Sequence, residues 1–161
     1  WLILTKRPEN VMEMVPDEWC DAEYWPTNVW IGTSVENQEW ADKRIPELLK
    51  IPAKVRFLSC EPLIGPIQLE DHASTWLYER GVNWVIVGGE SGTPQQIKAG
   101  KIRPMSDIWA WDIYRDCRDS NTPFFFKQMG SLQGDGTRHG GDFLRGEQFH
   151  EFPEFSAENA A

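Results

Sequence analysis

The sequence predicts an α/β protein whose parallel β/α repeats form an incomplete TIM-barrel-like sheet. Short runs of β-branched and aromatic residues recur along the chain, each stops at small or polar residues, and helical periodicity lies between them. Alternating strands and helices are typical of parallel pairing, because each helix supplies the crossover to the next strand. The predicted strands lie at 2–4, 29–31, 55–58, 83–87 and 124–126.

The length and the first residues favour part of a barrel over the alternative, an open doubly wound sheet. A complete barrel takes about 250 residues, whereas this chain has 161. The chain begins without Met, directly on the apolar run 1–4, as a segment from within a longer fold would. That strand should leave an exposed apolar edge, and we expect the protein to form a homo-oligomer through it.

Three helices are predicted between the strands. Pro8 is well placed as the first residue of a short helix. Asn37 can cap a second helix, which Pro46 should kink or restart because it has no N–H to donate. Ser106 should cap a third helix that runs to Asp119. The apolar positions of this third helix recur at helical spacing and are Ile108, Trp109, Trp111, Ile113, Tyr114 and Cys117.

The remaining segments are less regular. A further short helix is predicted at 73–78, and the polar, glycine-bounded stretch 93–101 is expected to be an exposed loop. Repeated glycines beyond Gly130 should break up periodic structure, and the tail after Pro153 should fray. We therefore divide the chain into an incomplete barrel domain at 1–130 and a glycine-rich C-terminal extension at 131–161.

The composition describes a folded, acidic protein. Hydrophobic residues make up 40% and aromatic residues 12% of the chain, enough to build a core. Acidic residues number 25 against 16 basic ones, a formal charge of -9, so the charge does not support binding to nucleic acid or to anionic membranes. The sequence has no run of roughly 18 apolar residues and does not open with a leader-type pattern, which predicts a cytoplasmic location away from membranes.

The cysteines and histidines predict no metal site within this chain. Cys20, Cys60 and Cys117 are too widely spaced for a zinc or iron–sulfur ligand set and are odd in number for a disulfide framework. Cys60, at a strand end, is expected to be a small buried hydrophobe. The histidines fall outside the predicted strand ends and are expected in loops; they are His72, His139 and His150.

Charged residues of both signs follow the predicted strands. Because the carboxyl ends of parallel strands meet at one edge of a sheet, these residues should converge there. The candidate ligand-binding residues are Lys6, Arg7, Glu36, Glu61, Glu90, Ser91 and Lys127. Mixed charge suits a zwitterionic or amino-acid-like small molecule. The alternative is that these residues form mutual ion pairs that close the strand ends.

The paired glycines Gly88 and Gly89 admit two interpretations. They permit either a positive backbone dihedral or the close approach of a ligand to the main chain. The glycine fingerprints of dinucleotide and nucleoside-triphosphate sites are absent, and residues 89–92 have the wrong spacing for a nucleophile elbow. No catalytic residue is therefore assigned.

Six motifs at these strand ends resemble a phage-associated protein family of unknown function whose members carry a three-cysteine motif. The motifs are LTKRP (4–8), VWIGTSVE (29–36), FLSCEPL (57–63), VIVGGESG (85–92), RPM (103–105) and PFFFKQ (123–128). They stand in the same order as in that family and, with the segment 141–153, cover nearly the whole chain.

The resemblance implies a radical-SAM-like barrel, in which cysteines near the amino terminus hold a [4Fe-4S] cluster and S-adenosylmethionine binds at the strand ends. The three-cysteine motif itself is missing, so the chain resembles the carboxyl-terminal portion of such a protein. The cluster ligands are not carried over to Cys20, Cys60 or Cys117. Both cofactors would belong to a full-length protein, and neither is assigned to this chain alone.

We therefore expect a ligand-binding portion of a phage-related radical-SAM-like enzyme, in which Glu61 and Glu90 contact the adenosylmethionine. Its carboxylate, or a substrate, would meet the basic strand-end residues. In the resting protein Glu90 should pair with Lys6, Arg7 or Lys127. The alternative is a cluster-free phage accessory protein, in which the same face binds a metabolite or a protein partner.

Overall fold

A computed structural model describes residues 1–69, 76–77, 81–132 and 141–154. A five-stranded parallel sheet forms the centre of the molecule, with its strands in the order β1-β2-β3-β4-β5. The strands are β1 (Leu2–Thr5), β2 (Trp30–Ser34), β3 (Arg56–Cys60), β4 (Trp84–Gly88) and β5 (Phe124–Gln128). The helices are α1 (Val11–Met14), α2 (Gln38–Leu48), α3 (Pro94–Lys98) and α4 (Asp107–Asp119).

The sheet confirms the prediction of a parallel α/β fold, and its strands follow one another in chain order. Each predicted strand overlaps an observed one, and each strand pairs in parallel with the next strand along the chain. In the described part of the chain the sheet does not close, so the barrel-like character is not confirmed. Among the described residues, no helix has both the length and the apolar character needed to cross a membrane.

The two faces of the sheet have different partners. Side chains alternate between the faces of a strand, and Leu58, Val85 and Phe124 share the face that packs against α2 and α4 to form the main core. The opposite face carries an aromatic cluster near the amino ends of the strands. Trp84 lies at the centre of this cluster. The ring centroids of its four neighbours lie 5.2–6.1 Å from that of Trp84, and these neighbours are Trp30, Phe57, Phe125 and Phe152.

The two longer helices begin where the sequence predicts. The Asn37 side chain accepts the N–H of Trp40 at 3.2 Å, and the Ser106 hydroxyl accepts the N–H of Ile108 at 3.3 Å. Helix α2 continues past Pro46 to its last turn instead of restarting, because Ile45 and Leu48 on either side are anchored in the core.

Two sequence predictions about helices were wrong. The stretch 93–101 contains helix α3 instead of only a loop, because Thr93 and Gln96 form a reciprocal capping box and Pro94 occupies the first turn. Ile108 was expected on the buried face of α4 but is exposed, since the first turn of that helix extends beyond the core.

The segment 141–154 has more structure than its glycines suggested. Two short strands, β6 (Phe143–Leu144) and β7 (Glu147–Gln148), form an antiparallel hairpin. Arg145 and Gly146 turn it with positive φ values of 51° and 89°, as a tight hairpin requires. The chain then runs antiparallel to β5, where the Phe126 N–H donates to the Phe149 carbonyl at 2.7 Å.

The cysteines are free thiols. Cys60 and Cys117 are buried and Cys20 is exposed, so the expectation that Cys60 packs as a small hydrophobe is confirmed. Burial raises the pKa of the Cys60 thiol well above its usual range, which keeps it protonated. The predicted helix at 73–78, His72, His139 and the end of the tail lie wholly or partly outside the described residues.

Candidate functional site

The carboxyl edge of the sheet carries three acid–base pairs, each joining side chains from different parts of the chain. The pairs and their shortest N–O distances are Lys6–Glu36 at 2.6 Å, Lys127–Glu61 at 2.8 Å and Arg103–Glu90 at 2.6 Å. The three carboxylates follow β2, β3 and β4, which are neighbours in the sheet. The carboxyl edge thus carries a row of ion pairs. Mutual ion pairing of the strand-end residues is the alternative given in the sequence analysis.

Glu36 is the most buried of the three carboxylates. Lys6 binds one of its oxygens, and Arg44 of α2 binds the other at 2.8 Å. Arg44 also donates to the Ser34 carbonyl and stacks on the Trp40 ring at 4.0 Å, which fixes its position. Burial alone would raise the pKa of Glu36, but the hydrogen bond from Lys6 and the charges of Arg44 and Lys6 together lower it.

Glu61 lies over the small residues of β3 and β4. The Ser59 hydroxyl donates to one carboxylate oxygen at 3.2 Å, and Lys127 binds the other oxygen. A Cβ atom at Gly88 would stand 3.0 Å from that second oxygen. Gly88 therefore leaves the space in which the Glu61 carboxylate reaches across β4 to Lys127.

Glu90 is held by a single residue, Arg103. The guanidinium donates from Nη2 to one oxygen at 2.6 Å and from Nε to the other at 3.0 Å, and the Arg103 backbone N–H adds a third bond at 2.8 Å. The side-chain bonds from Arg103 lower the pKa of Glu90. The expected partners of Glu90 were wrong, because the chain between Glu90 and Arg103 folds back through α3 and brings a nearer cation.

Gly89 is required by packing inside the protein. A Cβ atom there would lie 2.1 Å from the Met129 carbonyl oxygen. Neither Gly88 nor Gly89 has a positive φ, and the group that approaches Gly89 is the protein's own backbone. The approach of a ligand to this part of the main chain stays a prediction.

Ser91 and Arg7 stand apart from the ion pairs. The Gln128 side-chain amide donates to the Ser91 hydroxyl at 2.6 Å, which links the segment after β4 to the end of β5. Arg7 has an exposed side chain, and its backbone N–H donates to the Thr5 hydroxyl at 3.0 Å. Arg7 is thus at the edge without joining the row.

The cations of the row face solvent more than their acids do. The side chains of Lys6, Lys127 and Arg103 are 60%, 57% and 55% exposed. An ammonium group has three donors and a guanidinium has five, so the bonds to the glutamates leave donors directed at solvent. The edge can therefore offer hydrogen bonds to an anionic group while the partly exposed oxygens of Glu61 and Glu90 accept from an amine or hydroxyl.

Sequence reasoning missed Arg44, Arg103 and Ser59 as members of the site. Arg103 lies in the motif RPM, to which the sequence alone assigns no role. Arg44 lies eight residues after Glu36, within reach once α2 begins at Gln38. The signal for Ser59 was its place two residues before Glu61.

The described residues contain no group of three or more His, Cys, Asp or Glu side chains that could hold a metal ion. His150 pairs with Asp142 at 3.0 Å and stacks on Phe125, away from the carboxyl edge.

The chain belongs to the family described as "Protein of unknown function (DUF5131)", whose model matches residues 1–153. Comparison with curated proteins and with solved structures finds no match. The family match covers every element of the sheet and all three ion pairs.

Proposed function

We propose that the carboxyl edge binds a small zwitterionic ligand of the S-adenosylmethionine type, as the ligand-binding portion of a phage-related radical-SAM-like protein. The observation that supports this most is the row of three cations, each anchored by a carboxylate and more than half exposed. A cation fixed in this way meets an incoming carboxylate with little further loss of side-chain freedom.

Within the row, the pair Glu61–Lys127 is best arranged for both ends of a zwitterion. Ser59 and Gly88 hold the Glu61 carboxylate over the sheet, where it can accept from a ligand amine. Lys127, which lies on β5 across β4, can donate to the ligand carboxylate from the same place. Glu90, whose oxygens already accept three bonds from Arg103, is better placed to orient Arg103 than to bind an amine itself.

The three cysteines of this chain do not fit a [4Fe-4S] cluster. Cys60 and Cys117 are buried in the core with protonated thiols, and Cys20 lies on the surface. A cluster would need other ligands, so no step of a reaction is assigned through it.

The second candidate is a cluster-free phage accessory protein whose carboxyl edge binds a metabolite or a protein partner. This candidate is favoured because the negative charges of Glu36 and Glu90 are already compensated by cations of the protein itself. The coding sequence immediately upstream of Trp1 separates the two candidates. A three-cysteine motif there favours the enzyme, and another kind of sequence favours the accessory protein.

Calorimetric titration with S-adenosylmethionine tests the ligand proposal. We expect the native chain to bind, and Glu61→Gln to weaken binding by about tenfold or more, as the loss of a charged hydrogen bond of about 1.5–3 kcal/mol predicts. Glu39→Gln is the matched control, because Glu39 forms a similar 2.7 Å pair with Lys43 on the exposed face of α2. Absence of binding up to millimolar ligand, or equal affinity in the two variants, would contradict the proposal.

A further inference from the structure

Ser34, the last residue of β2, has a buried hydroxyl without a hydrogen-bond partner in the part of the chain that the structure describes. The residue is 3% exposed. Its carbonyl accepts from Arg44, but its side-chain oxygen has no such bond. The other buried polar residues of the described chain all use their side chains in hydrogen bonds, and they are Thr33, Glu36, Arg44, Ser59 and Thr122. A buried hydroxyl left unbonded costs free energy, so this one points to a partner outside the protein atoms described.

The register of the sheet places Ser34 inside the candidate site. Because side chains alternate along a strand, Ser34 shares the face of Trp30, which is the face opposite the helices. Its neighbour in β3 is Ser59, whose hydroxyl donates to Glu61. On the β1 side, the register continued by one residue brings Lys6 level with Ser34. The free hydroxyl therefore lies between two residues of the ion-pair row.

The charge beside Ser34 is positive. Glu36, two residues further along the chain, is bound by Lys6 at one oxygen and by Arg44 at the other. This group of three carries two positive charges and one negative charge, whereas each of the other two pairs of the row is neutral. The Lys6 ammonium has three donors, and its bond to Glu36 uses one of them. An anionic group is therefore favoured beside Ser34 over the rest of the row.

We propose that Ser34 and Lys6 form a subsite for an oxyanion, the carboxylate or phosphate of an acidic substrate. The Ser34 hydroxyl donates to one oxygen of this group, and the Lys6 ammonium donates to another while it keeps its bond to Glu36. Strands about 4.8 Å apart place Ser34 on β2 roughly 14 Å from Lys127 on β5. One carboxylate cannot bridge that distance, so the oxyanion belongs to a second ligand. The subsite thus goes beyond the proposed function and does not depend on it.

The burial of Ser34 limits what can bond to its hydroxyl. So little of its surface is accessible that another segment of protein has no room to pack on it. A partner must be small or must reach the hydroxyl with one atom, as an oxygen of an oxyanion does. Lys6, whose side chain is more than half exposed, is the side of the subsite that opens to solvent. An ordered water is the other occupant of this size, and its binding would not depend on an added anion.

Thermal unfolding in sodium phosphate, sodium acetate or sodium chloride at equal ionic strength tests the subsite. The Tm of the native chain should rise by about 4 °C over its value in chloride when the oxyanion stands at about ten times its Kd. The more effective of phosphate and acetate identifies the acidic group. Phosphate also stabilises proteins by exclusion from their surface, so the decisive quantity is the part of the rise that Ser34→Ala removes. Equal Tm values in all three salts would overturn the proposal and leave water as the occupant.

The variants separate an oxyanion subsite from a structural role. In chloride, Ser34→Ala should have a Tm equal to or above that of the native chain, because it removes a buried unbonded hydroxyl. In the oxyanion it should lose at least half of the rise, and Lys6→Gln should lose as much. Lys43→Gln is the matched control, since Lys43 is exposed to a similar degree and forms a similar pair with Glu39.

Three results would overturn the proposal. A lower Tm of Ser34→Ala in chloride would show that the hydroxyl has a partner within the protein. A full rise in Ser34→Ala, or equal losses in Lys6→Gln and Lys43→Gln, would show that the anion acts elsewhere. S-adenosylmethionine is absent from these measurements, so their outcome is separate from that of the titration of the proposed function.

Discussion

The two edges of the sheet differ in whether a neighbouring segment of the described chain hydrogen-bonds to the edge strand. At the β5 edge the chain returns from the hairpin and lies antiparallel to the strand, so that the N–H of Phe126 and the carbonyl of Phe124 are both bonded. The Glu151 side chain also accepts the Phe124 N–H at 3.0 Å and binds Arg118 of α4. At the β1 edge no such segment lies beside the strand among the described residues.

This difference shows that the segment 141–154 acts as a cover for the β5 edge of the sheet. Phe149 and Leu144 are buried against the β5 side of the core, and Phe152 extends over Trp84 on the opposite face. The cover therefore contributes to stability as well as to protection. The β1 edge has the apolar residues of an interior strand, and no described segment covers it in a comparable way.

The largest expected effect concerns the cover. Phe149→Ala should lower the free energy of unfolding by about 3 kcal/mol, because it removes a buried ring that packs on Phe124 and Tyr114. Urea denaturation followed by tryptophan fluorescence measures the change. Phe143→Ala, at an exposed position of the same hairpin, is the control and should cost less than about 0.5 kcal/mol. Equal losses in the two variants would mean that the segment does not bind the edge through Phe149.

A smaller effect on stability is expected at Glu36, which follows β2, the strand next to β1. Glu36→Gln should cost about 2 kcal/mol, less than the loss of a fully buried pair, because Lys6 remains solvated and Arg44 keeps its bond to the Ser34 carbonyl. Glu39→Gln removes an exposed pair and should cost less than about 0.5 kcal/mol. Urea denaturation at neutral pH measures both changes. Similar values for the two variants would show that burial of Glu36 adds nothing to its pairing.

The same carboxylate predicts a pH dependence. Its pKa is lower in the folded protein than the value of about 4.3 in an unfolded chain. The stabilisation is therefore fully present above about pH 4.3 and is lost as the pH falls through the lower folded pKa. The native chain should lose more stability than Glu36→Gln between pH 6 and pH 3, which urea denaturation at each pH would measure. A constant difference between the two across that range would contradict the assignment.

The sheet could be predicted from the sequence because its signals are local. Five apolar runs, each followed by polar residues and separated by capped helices, determine the strands and their parallel direction without knowledge of any long-range contact. The cover of the β5 edge could not be found in this way. The pairing of Phe149 with Phe126 depends on the turn at Arg145 and on contacts distant in sequence, and the many glycines of the segment suggested irregular structure.

The meeting of strand-end residues at one edge was predictable from the sequence, whereas the full membership of the candidate site and its pairing were less so. The rule that strand ends share an edge brought Lys6 to Glu36 and Lys127 to Glu61, since each pair joins neighbouring or nearby strands. It could not identify Arg103 as the partner of Glu90, because that contact depends on how α3 returns the chain to the sheet. Ligand binding at the edge stays a prediction that the titration described above would test.

The smallest expected effect on the free energy of unfolding is at the β1 edge. Leu4→Thr introduces a β-branched residue suited to a strand and removes a side chain that is already half exposed, so the free energy of unfolding of the chain should change by less than about 0.5 kcal/mol. The matched change at the covered edge, Phe125→Thr, should cost about 2 kcal/mol, because Phe125 stacks on His150 at 4.8 Å and packs on Trp84. If Leu4→Thr destabilised the chain as much as Phe125→Thr, then the β1 edge would itself be covered, and the contrast between the two edges would not hold.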